Sequence, residues 1–93
     1  MAEFMVRVEI FKANSEDYTG LHEGMEALGL MRTVQGNEAL SRMPPGTYFG
    51  VSSLSAYALR EKIRVIALPF SSPVEPSVFV AQVSDWSSWL RTA

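Results

Sequence analysis

A chain of 93 residues with no cysteine and one histidine offers few places for chemistry. That histidine, His22, stands in a polar stretch with Glu16, Asp17, Glu23 and Glu26. An imidazole titrating near neutrality beside carboxylates is the raw material of general acid–base catalysis or of metal binding. The spacing matches no metal motif, however, and carboxylates outside an apolar helical stripe usually form its solvated face. The residues therefore read as a structural histidine, solvent-facing or partly packed, with no metal. Ser52, Ser53, Ser55, Ser71, Ser72, Ser87 and Ser88 supply hydroxyls. None lies in a nucleophile elbow, so they read as caps and loop formers. Gly20, Gly24, Gly46 and Gly50 lack the strand, glycine loop, lysine and helix order of a phosphate cradle, which implies no nucleotide cofactor.

The arginines form a second constellation. Arg60 and Arg64 lie one turn apart on the same face of an expected helix, while Lys62 points elsewhere. Arg32, Arg42 and the aromatic Tyr48 can join them in a small surface for the phosphates and bases of RNA. The candidate RNA-binding residues are thus Arg32, Arg42, Tyr48, Arg60 and Arg64. The plainer alternative is a solvated rim beside a buried stripe. No acid, base and nucleophile converge in the sequence, so the catalytic residues are not defined and a small-molecule enzyme is the least favoured class.

Charge and composition narrow the partners. With 8 basic and 10 acidic residues the net charge is -2, which gives no global field toward nucleic acid or anionic membrane. RNA binding would have to be local. The opening residues MAEFMVRVEIFKA carry Glu3, Arg7, Glu9 and Lys12 within the apolar run, unlike a signal peptide or a membrane span. Absence of cysteine suits either redox compartment, and cytoplasm is the default expectation. At 47% hydrophobic, residues 1–93 fit a single domain.

The elements that must position these groups are organised around residues 42–68. Pro44, Pro45 and Gly46 make a turn, and Thr47, Tyr48, Phe49 and Val51 suit a strand over residues 47–52. Ser53 and Ser55 are both suitable N-caps for a helix with Ala56, Leu59, Ile63 and Ile66 on one face, and Pro69 closes it. Before this, strict alternation predicts a strand over residues 4–12. Ser15 is the expected cap of a first helix over residues 16–28, with Gly20 and Gly24 admitting close packing. Residues 30–35 predict a short strand stopped by Gly36-Asn37, followed by irregular structure over 38–45. Residues 78–83 predict the last strand, and Asp85 caps a short turn that holds Trp86, Trp89 and Leu90 on one side.

The order strand, helix, strand, strand, helix, strand implies an α+β ferredoxin-like βαββαβ sandwich, a mainly antiparallel four-stranded sheet with two helices on one face. The other face would carry Met5, Phe11 and Tyr48, and an open apolar face of this kind predicts a homodimer.

The run Arg42-Met43-Pro44-Pro45-Gly46-Thr47-Tyr48-Phe49, the serine-capped helix ending near Arg64 and the closing Val83-Ser84-Asp85-Trp86 with Trp89 resemble the small GhoS antitoxin family. The resemblance implies the ferredoxin-like fold shared with a small CRISPR-associated nuclease family, and an RNA partner, since the type member cleaves a toxin messenger RNA. It nominates Arg42 and Arg60 for an RNA-cleaving role. The first strand leads into Phe11-Lys12-Ala13-Asn14, without the aspartate those nucleases place there, which argues against metal-dependent cleavage. The sequence thus points to a small regulatory module with RNA or protein as partner. Its rival is a non-catalytic, self-associating structural or protein-interaction subunit.

Overall fold

The computed structural model describes residues 1–36 and 39–92. Asn37 of the expected turn and Glu38 of the expected irregular stretch lie outside the described residues. The protein is α+β, with two α-helices and a four-stranded antiparallel sheet.

Strand β1 (Ala2–Glu9) buries Phe4, Val6 and Val8 and exposes Glu3, Arg7 and Glu9, as the period of two requires. It stops at Glu9 rather than reaching Lys12. Lys12 takes φ 50, which turns the backbone out of the extended region. Phe11 consequently lies beyond the strand, its N–H donating to Ser71 Oγ at 2.9 Å.

Helix α1 (Ser15–Ala27) is capped by Asn14, one residue before the expected Ser15. The Asn14 side chain accepts from the Asp17 N–H at 2.9 Å, and the Asn14 N–H donates to Asp17 Oδ2 at 3.0 Å. This reciprocal capping box needs an acceptor three residues after the cap. Counting from Ser15 that position is Tyr18, which lacks a carboxylate to return the bond. Gly20 and Gly24 serve close packing: a Cβ would lie 2.6 Å from the Phe70 ring at the first and 2.5 Å from Ile66 at the second.

The expected strand over residues 30–35 breaks at Arg32. Its first part, β2 (Leu30–Met31), pairs with β5 (Thr47–Ser52), while β3 (Thr33–Gln35) pairs with β4 (Leu40–Arg42) in a separate two-stranded sheet. Local alternation carries no information about which partner each half will find, and β4 is too short and polar to announce itself. Strand β5 follows a turn in which the Thr47 N–H donates to Pro44 O at 3.0 Å and Gly46 takes φ 76.

Helix α2 (Ala56–Ala67) is capped by Ser55, whose Oγ accepts from the Ala58 N–H at 3.1 Å. It buries Leu59, Ile63 and Ala67, four residues apart, and ends in a 3-10 turn (Leu68–Phe70). Strand β6 (Ser77–Val83) completes the sheet in the order β2-β5-β1-β6. Phe4, Val6, Leu21, Met25, Tyr48, Leu59 and Ile63 belong to one buried cluster.

At Gly50 the sheet demands the absence of a side chain, because an added Cβ would collide with the Gly29 carbonyl oxygen and lie 3.2 Å from Leu30 Cα. Both are backbone atoms of the chain entering β2 and cannot rotate away. Gly50→Ala should therefore cost about 1–3 kcal/mol through overpacking. Urea titration checks this: an unchanged midpoint would show that β2 can shift freely.

Candidate functional site

Backbone hydrogen bonds outside the main sheet bring three arginines into one place. The Arg32 carbonyl, between β2 and β3, accepts from the Met43 N–H at 2.7 Å. The Arg42 N–H, at the end of β4, donates to the Arg91 carbonyl at 2.9 Å, and Ser41 forms a β-bridge with Thr92. Three segments distant in sequence are thereby laced side by side, each bearing an arginine.

Arg32, Arg42 and Arg91 line an open groove of ≈ 890 Å³. Helix α1 contributes Tyr18, His22 and Glu26 to it, the turn before β5 contributes Pro44, Pro45 and Gly46, and the C-terminal segment adds Trp89 and Leu90. The lining holds three arginines and one acidic residue, Glu26, so it is cationic although the chain as a whole is acidic. Trp89 is 100% exposed and Tyr18 38%, which leaves aromatic surface at the groove free to stack on a ligand.

Beneath the groove His22 Nδ1 lies 2.8 Å from the Tyr48 hydroxyl. Burial, followed by the Arg32 charge, lowers the His22 pKa against the opposing pull of Glu26. The Tyr48 phenol is pushed up to about 12, chiefly by burial, with Arg32 opposing. At neutral pH the pair is therefore an uncharged imidazole against an uncharged phenol.

The expected RNA-binding residues separate into three groups. Arg32 and Arg42 meet in the groove. Tyr48 is 1% exposed and sits opposite Val6 in the buried cluster, so it neither belongs to the open sheet face nor reaches a ligand except through His22. Its neighbour Phe49 takes the outward position, opposite Met5, because one residue along a strand reverses the side. Arg60 and Arg64 are elsewhere, on α2. Arg60 pairs with Glu61 at 3.0 Å and lies 4.5 Å from the Tyr57 ring centroid, while Arg64 reaches Glu61 at 3.4 Å and Glu75 at 3.7 Å. These arginines hold the Glu61 carboxyl below its usual range. None of the ion pairs among the described residues involves Arg32, Arg42 or Arg91.

The C-terminal segment departs from expectation most. No helical turn forms after Asp85. Trp86 packs edge-on against Phe49 with ring centroids 5.3 Å apart, whereas Trp89 is fully exposed and lines the groove. The segment's backbone is satisfied by β4 rather than by its own turn, which is how Arg91 enters the site. A bridge between β4 and a segment about fifty residues away leaves no local periodic signal, so the place of Arg91 was not legible beforehand.

Among the described residues no three His, Asp or Glu side chains gather as a metal site, and no helix is long and apolar enough to cross a membrane. No family model, curated protein or solved structure matches the chain. Fold and groove together define a small α+β domain with a local cationic, aromatic-edged recess.

Proposed function

We propose that this protein is a small regulatory module of the ferredoxin-like βαββαβ type that binds single-stranded RNA in the arginine groove. The single observation that carries the proposal is the convergence of Arg32, Arg42 and Arg91 beside exposed Trp89 and Tyr18 on an acidic chain. Guanidinium groups grip phosphates, and exposed aromatic faces stack on unpaired bases. The antiparallel strand order β2-β5-β1-β6 and the single buried cluster shared with both helices support the fold name. Within it β3 and β4 are an inserted hairpin. The likeness to the GhoS antitoxin family supplies the preference for RNA, and cytoplasm stays the default setting.

Fluorescent single-stranded RNA titrated over a salt series tests the proposal. Three arginines allow few phosphate contacts, so the slope of log affinity against log salt should not exceed about -2. Arg32→Ala/Arg42→Ala should flatten it and weaken binding at low salt, whereas Arg60→Ala/Arg64→Ala should leave both unchanged. A cleavage gel with and without magnesium separates a binder from a nuclease. Absence of binding at low salt, where attraction is strongest, would reject the RNA function. A homodimeric protein-interaction subunit would then take its place, resting on Met31, Val51 and Phe79, which are 41%, 48% and 63% exposed on the side of the sheet opposite Tyr48.

A further inference from the structure

We infer that His22 is the groove's phosphate donor: with Nδ1 occupied by the Tyr48 hydroxyl, its Nε2–H is offered to a phosphodiester oxygen of a single strand held by Arg32 and Arg42. This deepens, and rests on, the RNA-binding function proposed above.

The inference follows from where protons can go. A phenol has one hydrogen to donate, and at 1% exposure Tyr48 has next to no contact with bulk water as an acceptor. Among the described residues the only side-chain partner of its hydroxyl is His22 Nδ1 at 2.8 Å. If Nδ1 carried the proton and donated to the phenol oxygen, the phenol hydrogen would be left buried and unpaired, an arrangement proteins rarely tolerate. The reverse arrangement leaves nothing unpaired: the Tyr48 O–H donates, Nδ1 accepts, and the ring's hydrogen resides on Nε2. The elevated phenol pKa keeps that O–H protonated, and burial together with Arg32 keeps the ring neutral.

His22 lines the groove with Arg32 and Arg42, so the nitrogen turned away from Tyr48 adds a neutral donor to the guanidinium donors. A neutral imidazole whose free lone pair already accepts from a phenol has no site left to take a proton from a ribose 2′-hydroxyl. His22 in this state is a recognition group and not a general base. Tyr48 acts through it as a positioning residue, which gives the buried tyrosine a functional consequence without ligand contact.

Nitrogen-15 NMR of the His22 ring in the free protein reads the tautomer directly, and should show Nε2 protonated and Nδ1 unprotonated. Tyr48→Phe should mix the two forms. Binding of fluorescein-labelled oligouridylate at low salt supplies the second readout. His22→Leu should lose about 10-fold or more in affinity, the scale of a hydrogen bond to a charged group. His22→Gln, whose amide can accept from Tyr48 and donate to phosphate, should retain most of it. A ring protonated on Nδ1 would overturn the inference. Wild-type affinity in His22→Leu, when Arg32→Ala/Arg42→Ala loses binding, would overturn it too and leave the RNA function standing. Failure of the wild type to bind would remove both.

Discussion

Tyr48→Glu should unfold the protein rather than merely alter its surface. Tyr48 lies in the buried cluster, 1% exposed, and faces Val6 across the β1–β5 pair. A glutamate there must bury a carboxylate, carry a proton at neutral pH or draw a proton onto His22 to form a buried ion pair, and taking such charges out of water costs several kcal/mol. The substitution also removes the ring and leaves part of its volume empty. A domain of this size has a net stability of only about 5–15 kcal/mol, so these losses together consume most or all of it. Far-UV circular dichroism and a one-dimensional proton spectrum decide the matter. A native spectrum for Tyr48→Glu would show that the side chain can reach solvent. Tyr48→Phe is the control: it keeps the packing, gives up only the hydroxyl bond to His22, and should remain folded.

Truncation of the α2 stripe should rank next in effect. Leu59 and Ile63 are 0% exposed and stand one turn apart, packed with Phe4, Leu21 and Met25 in the same cluster. Leu59→Ala or Ile63→Ala removes buried methyl and methylene groups and leaves a cavity among side chains held by the sheet and helices, which relax only partially. The expected loss is about 2–5 kcal/mol for each. Chemical denaturation with an unchanged m-value would confirm a folded-state effect, and a loss below about 1 kcal/mol at both positions would contradict the packing. Arg60→Ala, on the exposed face of the same helix, should have little effect, since its pair with Glu61 is solvent-screened.

Sequence alone determined whatever depends on neighbours along the chain. Alternation in β1 identified Phe4, Val6 and Val8 as the inward set, because a strand's side chains must reverse at every residue. The spacing of Leu59 and Ile63 marked the buried face of α2, and Ser53 and Ser55 as its possible caps, because the helical period and the reach of a serine oxygen are local quantities; the structure uses Ser55. The same reasoning delimited β5 at residues 47–52. It failed by one residue at the α1 cap, where Asn14 and Asp17 satisfy two N–H groups together, and at Tyr48, where the alternation was visible but not which of its two sides met the core.

Tertiary structure decided what required pairing across distance. Residues 30–35 split between two sheets because β5 and β4 compete for them, and no property of the six residues reveals the partners. The groove exists because Arg32, Arg42 and Arg91 are held by hydrogen bonds between segments about ten and fifty residues apart. Arg60 and Arg64, the most patterned arginines in the sequence, are occupied by Glu61 and Glu75, while the unpatterned Arg91 joins the site. His22 shows the division most clearly. Its identity made it titratable, but only the folded chain brings the Tyr48 hydroxyl against its Nδ1, from a strand 26 residues away.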